Sequence, residues 1–354
     1  MRYPGEWEPH ERTIMGWPCR LELWGQTLVQ ARHDYASVAN AISAFEPVTM
    51  IANPGSDSVQ ARAMCASGVE IVELPLDDSW LRDSGPIYVV DGSPQAAGDG
   101  GADGKGRGDG KGRGDGDGDE AGESPRTAVH FGFNAWGEKF PPWERDAQVG
   151  GLIAQLLGDP VVRAPMILEG GSVISDGAGT ILTTEQCLLH PSRNPQLSRE
   201  DIELLLSRYL GAERVLWLEQ GLVEDRDTDG HVDLIAAYSA VDRVLLQTVN
   251  EGNPNFENCQ ENRARLEAAG VSVTEMPYLP YVQVAGETIA ASYMNLYICN
   301  GAVIVPVAGD ESEEQALAII AAQFPGREVV PVPGTVIAYG GGGPHCITQQ
   351  VPRV

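Results

Sequence analysis

Apolar residues along the chain alternate between helical spacing and short unbroken runs. Between Gln26 and Phe45, residues Leu28, Ala31, Tyr35, Val38, Ile42 and Phe45 recur at three- and four-residue steps, which predicts an amphipathic helix. Val48–Ala52 is a short apolar run that predicts a strand, closed by the turn Asn53-Pro54-Gly55. A short helix over Ser58–Ala66 and a strand over Val69–Leu74 are expected next. The order then returns. Ser198 with Asp201 three residues on resembles a capping box. Ile202, Leu205, Leu206 and Tyr209 continue the apolar face, Gly211 ends the helix, and Arg214–Leu218 is the following strand. Helices over Glu257–Ala269 and Glu311–Phe324 lead in the same way to strands over Val271–Met276 and Glu328–Val332.

Between these helix–strand pairs lie stretches that read as β-hairpins or their opening halves: 80–90, 168–184, 230–249, 293–307 and 335–350. Each carries a polar residue at a comparable point: Asp83, Glu169, Asp233, Asn295 and Cys346. With one insertion set aside, the spacing is about 50–65 residues, repeated five times, and this predicts a ring of α/β supersecondary units. In such a ring the five polar residues would meet near the axis.

The insertion spans about 93–125. It is rich in Gly and Asp, nearly free of large apolar residues, and contains a short Gly-Asp-Gly-Lys-Gly-Arg repeat, so it cannot bury enough surface to offset its backbone entropy. A calcium loop starting at Asp115, with Asp117 and Asp119, fails, because Glu120 and Arg126 stand where such a loop needs Gly and Glu. The remaining chain is expected to be a single domain, 1–354.

Charge narrows the partners. Of 354 residues, 50 are Asp or Glu and 24 are Lys or Arg, a net charge of −26. Such a chain is poorly suited to nucleic acid or to an anionic membrane surface. No run long enough for a transmembrane helix is present, and the first residues lack the apolar core of a signal peptide, so a cytoplasmic protein is expected. Six widely spaced cysteines form no CxxC pair, which suggests reduced thiols rather than a zinc site or a disulfide framework.

Cys346 follows Gly340-Gly341-Gly342-Gly343-Pro344-His345. The glycines permit positive φ and close approach of backbone to a ligand. No Gly-Lys-Ser/Thr follows, which weakens a phosphate cradle. A free thiol, with a pKa of about 8.5, is only a few per cent thiolate at neutral pH. Cys346 is therefore either a small buried hydrophobe or a nucleophile activated by a neighbouring base or cation. His231 and Asp233 would share one face of a strand, either as an exposed edge pair or as a proton-transfer group beside a cation-binding carboxylate. No further ligands lie at metal-binding spacing. Asp83 follows Arg82, a pairing that structure alone could explain. Glu169 precedes Gly170-Gly171 and is either a turn cap or an active-site acid.

With these motifs on the page, the chain resembles the bacterial-type peptidylarginine deiminase family of the pentein superfamily, and within it the agmatine deiminases. The matching segments are 7–13, 15–18, 80–86, 168–172, 230–233, 291–306 and 345–352. The resemblance implies a five-fold pseudosymmetric α/β propeller of ββαβ-type units. It also implies a cysteine nucleophile at Cys346, proton transfer by His231, and guanidinium-binding carboxylates at Asp83 and Asp233. Glu169 would orient His231 or contact substrate, and Trp80, Asn295 and Gly343 would contribute to substrate binding. The implied reaction hydrolyses agmatine to N-carbamoylputrescine and ammonia through an amidino-cysteine (thiouronium) intermediate, in putrescine and polyamine biosynthesis. No metal or organic cofactor is needed, and a homodimer is left open. Rival readings are a deiminase for C-terminal arginine, which the missing export signal disfavours, an amidinotransferase, and an inactive pentein that only binds. The chain departs from the family at Cys19–Trp24 and at Gly343-Pro344, which bears on substrate choice more than on reaction type.

Overall fold

The short apolar runs become buried central strands: Val48–Ala52 and Thr180–Thr184 are buried at every residue. The structure, a computed structural model, describes residues 1–92 and 125–354. The expected Gly/Asp-rich insertion at 93–125 lies, except for Pro125, outside the described residues.

One topology recurs five times. Ile87–Val90 pairs antiparallel with Arg126–Gly132, which pairs parallel with Val161–Ile167. The same antiparallel-then-parallel order joins Val173–Ser175, Thr180–Thr184 and Arg214–Leu218. It joins Ala236–Ala240, Arg243–Gln247 and Ser272–Met276, and again Tyr297–Cys299, Ala302–Val307 and Glu328–Pro333. In the remaining sheet the C-terminal strand Thr348–Pro352 supplies the antiparallel partner of the N-terminal strand His10–Gly16, which runs parallel to Val48–Ala52. Val69–Glu73 extends that sheet.

Parallel neighbours cannot be joined by a tight turn, and a helix supplies each crossover. In the five units these helices are Leu28–Ser43, Asp146–Leu157, Arg199–Leu210, Phe256–Ala268 and Glu313–Gln323, and Ser56–Met64 leads to the added strand Val69–Glu73. The architecture is thus α/β, built of five ββαβ units. Among the described residues the buried apolar side chains form five clusters. No helix among them is long and apolar enough to cross a membrane.

Most sequence expectations hold to within two or three residues, because each rests on local chemistry. Ser198 forms a complete capping box with Asp201, and Gly211 closes that helix in the left-handed region at φ 70°. Two differences concern whole elements. Residues Thr335–Tyr339 form a helix rather than the opening half of a hairpin; the hairpin of that unit is completed by the N-terminal strand instead. A separate hairpin, Tyr281–Val284 with Glu287–Ala290, lies outside the five-fold pattern and was not anticipated.

Replacing Ser198 by alanine removes the hydroxyl that accepts from the Asp201 N–H. Ser198→Ala is expected to cost about 1 kcal/mol in urea unfolding, with the chemistry of the distant pocket unchanged.

Candidate active site

Each of the five repeated polar residues stands just before the first strand of a unit. Asp83 lies in the one-turn helix Leu81–Ser84, ahead of Ile87. Glu169 is the N-cap of the turn Gly170–Ser172, ahead of Val173. Asp233 sits in the turn Val232–Leu234, ahead of Ala236. Asn295 and Cys346 precede Tyr297 and Thr348. His231 and Asp233 are therefore not on a strand, as expected from their spacing. His231 caps a single 3-10 turn that contains Asp233, and this tight turn, rather than a pleat, brings both side chains inward.

The pieces meet. The Cys346 thiol lies 3.5 Å from Asp233 Oδ2. His231 Nδ1 is 3.9 Å from Asp83 Oδ1 and 3.9 Å from Asp233 Oδ1. The amide of Asn295 is engaged by backbone at both ends: Oδ1 accepts from the Cys346 N–H at 3.1 Å, and Nδ2 donates to the Asp233 carbonyl at 3.2 Å. Trp80 packs on Trp24 with centroids 5.9 Å apart and lines one pocket with Asp83 and Cys346. Trp136, Phe140, Leu23, Asp78, Asp227 and Gly341 are also in its wall. Of the glycines before Cys346, only Gly341 has positive φ, at 109°. Gly342 is needed for space, since a Cβ there would stand 2.8 Å from both Cys346 Sγ and the Trp80 ring. A Cβ on Gly343 would stand 2.8 Å from Asn295 Oδ1.

Electrostatics separate the two aspartates. Burial pushes the Asp83 carboxyl up to about 6; the charge of His231 pulls the other way, the charges of Asp233 and Glu169 add to the rise, and the Gly171 N–H draws it back. Asp83 is held by Trp136 Nε1 at 2.8 Å and by the Gly171 N–H at 2.9 Å. Burial also works against ionised Asp233, but His345, through hydrogen bond and charge, holds it below the usual carboxylate range, helped by His231 and Arg82. His345 bridges Asp233 Oδ2 at 2.8 Å and Glu6 Oε1 at 2.6 Å. Burial and Arg82 push this imidazole down, but the two carboxylates raise it overall. Burial pushes the Cys346 thiol well up, and the charges of Asp233 and Asp83 push it further.

Several contributors escaped the sequence. His345, next to the cysteine in sequence, also bonds Asp233 and Glu6 through its two ring nitrogens. Arg82, fully buried, pairs with Glu6 at 3.2 Å and donates to the His345 carbonyl at 3.2 Å and to Gln350 at 2.8 Å. Arg193 is likewise buried, donating Nε to Glu169 Oε1 at 2.8 Å and Nη2 to the Thr228 carbonyl at 2.9 Å, with Nη1 paired to Asp229. It thereby ties Glu169 to the loop that delivers His231. Asp225 shapes that loop, accepting from the N–H groups of Thr228, Gly230 and His231. An Asp three residues before Thr and five before Gly is a readable turn signal, whereas the reach of Arg193 across the fold is not.

Residues 2–352 match the Porphyromonas-type peptidyl-arginine deiminase family. The chain is 38% identical over 387 aligned residues to the agmatine deiminase of Pseudomonas aeruginosa (strain LESB58), covering 99% of this chain and 95% of that one. Its fold superposes on the agmatine deiminase of Enterococcus faecalis with a TM-score of 0.86 at 32% identity, covering 99% of this chain and 96% of that one. A C. jejuni agmatine deiminase with substrate bound gives a TM-score of 0.84 at 25% identity, with 99% and 96% covered.

Gly171 faces the centre of the cluster. A Cβ there would stand 2.6 Å from His231 Nδ1, 2.8 Å from Asp233 Oδ2 and 2.9 Å from Asp83 Oδ1. Gly171→Ala is expected to fold normally by circular dichroism while losing about 10²-fold in any turnover this cluster carries, because the His231, Asp233 and Asp83 side chains must move apart together.

Proposed function

The chain belongs to the Porphyromonas-type peptidyl-arginine deiminase family, and on that premise we propose that it hydrolyses agmatine to N-carbamoylputrescine and ammonia, in putrescine biosynthesis in the cytoplasm. The observation that carries this reading is the surroundings of the Cys346 thiol: it lines a pocket with the buried Asp83 and lies 3.5 Å from Oδ2 of the buried Asp233. The six free cysteines fit a reducing compartment, and the whole chain acts as a single catalytic domain.

A guanidinium is flat, cationic and rich in N–H donors, so facing carboxylates hold it in forked hydrogen bonds. Its central carbon is then held against Cys346 Sγ. In the empty pocket the thiol is neutral, since burial and two negative neighbours oppose its ionisation. Entry of the cation reverses that balance, so the nucleophile forms only when substrate is in place. Sulfur attacks the carbon and its proton passes to His231, which returns it to the departing amine. Ammonia leaves and an amidino thioether remains. Neutral His231 then takes a proton from water, the water oxygen attacks the carbon, the C–S bond breaks, and Cys346 is regenerated as the ureido product departs. Glu169, anchored by Arg193, lies within 4.8 Å of His231 with no hydrogen bond between them, and acts by holding its place beside the ring.

The rim favours agmatine over arginine. Asp227 lines the pocket, and a second cavity of about 360 Å³ shares Asp227 and Gly341 with it and is also lined by Asp225 and Glu224. With Glu287 they outnumber Arg226, a cation in the same lining, so the cavity suits a terminal ammonium better than the carboxylate of free or C-terminal arginine.

Two experiments test the reading. Cys346→Ser should lower ammonia release from agmatine by on the order of 10³-fold or more with the fold intact. Full activity in that variant, or faster turnover of a C-terminal arginine peptide by the native enzyme, removes the proposal. The pH profile follows from Asp83. The free enzyme must present this carboxylate ionised to bind a cation, so kcat/KM should rise with unit slope up to pH about 6 and level off above it. Bound guanidinium stabilises the carboxylate, so the inflection in kcat should fall at lower pH. Initial rates of ammonia release across pH 4.5–8 (a window of about 3.5 units around that value) measure both.

A further inference from the structure

Behind His231 lies a group of side chains that the mechanism does not fully use. Glu169, Cys187 and His231 come from three separate turns. Glu169 and His231 are N-caps, and Cys187 sits in the one-turn helix Glu185–Leu188. All three are fully buried. A carboxylate oxygen, the thiol sulfur and an imidazole nitrogen lie within 4.8 Å of one another. Their donor capacity is open: Glu169 Oε1 is taken by Arg193, but Oε2 has no hydrogen-bond partner, and neither ring nitrogen of His231 has one. Cys187 is a free thiol.

We propose that Glu169, Cys187 and His231 form an inhibitory site for a thiophilic divalent cation, with Zn²⁺ as the best fit. One thiolate, one imidazole and one carboxylate make a borderline-soft set of three protein ligands, which leaves a fourth position for water. Zinc bonds of about 2.0–2.3 Å place neighbouring donors about 3.5 Å apart, so separations of up to 4.8 Å need to close by at most about 1.3 Å. Charge also fits. Burial keeps the Cys187 thiol protonated, with the charge of Glu169 adding to the effect. Binding releases that proton to solvent and forms a Zn–S bond, so two anionic ligands neutralise the dication in a buried place. Arg193 does not block it, because its guanidinium sits on the other oxygen of Glu169 and is shared with Asp229. The metal occupies the lone pair of His231 and so stops proton transfer. The inhibition rests on the role proposed above for His231, whereas the binding does not.

The test uses the purified full chain, titrated with Co²⁺ as a spectroscopic probe and with Zn²⁺ in the ammonia-release assay. One equivalent of Co²⁺ should produce a sulfur-to-cobalt charge-transfer band, and Zn²⁺ should abolish turnover. Cys187→Ser, which leaves the proposed substrate pocket untouched, should keep turnover within about threefold, lose the band, and need at least about tenfold more Zn²⁺ for half-inhibition. If the serine variant does not fold, Cys187→Ala takes its place in both measurements. Cys346→Ser should keep the band. The proposal is overturned if no band appears, if band and inhibition persist without Cys187, or if the band is lost with Cys346 instead. A Co²⁺ band in a protein that does not turn over agmatine would sink the proposed reaction and leave this site standing.

Discussion

Two carboxylates and a thiol are buried together, and the cations that belong to the protein leave one side of them uncovered. Asp233 has His345 on one edge; Asp83 accepts from the indole N–H of Trp136 and a backbone N–H, with His231 3.9 Å away. Holding this negative charge out of water costs free energy, and in the proposed reaction that cost is the source of selectivity. There, a flat cation between the carboxylates would relieve Asp83 and the thiol in one event. On that reading the excess charge that opposes ionisation of the free thiol becomes the source of its activation.

Such an arrangement must be held rigidly, because charged groups of like sign separate if the backbone permits it. The protein meets this need with a chain of buried hydrogen bonds that links distant parts of the sequence. Glu6 near the N-terminus binds His345, His345 binds Asp233, and Arg82 binds both Glu6 and the backbone at His345. Glu6 is held at a pKa of about 2, where burial is outweighed by His345 and Arg82. The pairing of the first and last strands in one sheet brings these residues within reach. Arg193 performs the matching task on the other side, fastening Glu169 to the loop before His231.

Repetition explains why five unrelated stretches deliver their polar residues to one place. Each ββαβ unit enters its first strand from a short turn, and the residue on that turn projects past the strand end. Asp83, Glu169, Asp233, Asn295 and Cys346 occupy this same structural point, although their chemistries differ. Asn295 carries no charge, and it serves the other four by fixing the backbone of Cys346 and Asp233.

The sequence by itself determined the elements and the repeat. Helix periodicity, the Ser198 capping box and the apolar strands depend on neighbours within a few residues, and side-chain period and turn chemistry report those directly. The spacing of the five polar positions was also legible, since a repeat writes itself along the chain. Only the tertiary structure decided how these positions act. It replaced a strand at His231–Asp233 with a 3-10 turn, turned 335–339 into a helix, and recruited His345, Arg193, Trp136 and Cys187 to the neighbourhood of the cluster. Their roles depend on distances of a few ångströms between residues tens or hundreds apart in sequence. The physical reason is that a buried charge is defined by what surrounds it in space, and no local pattern records which remote side chain will stand there.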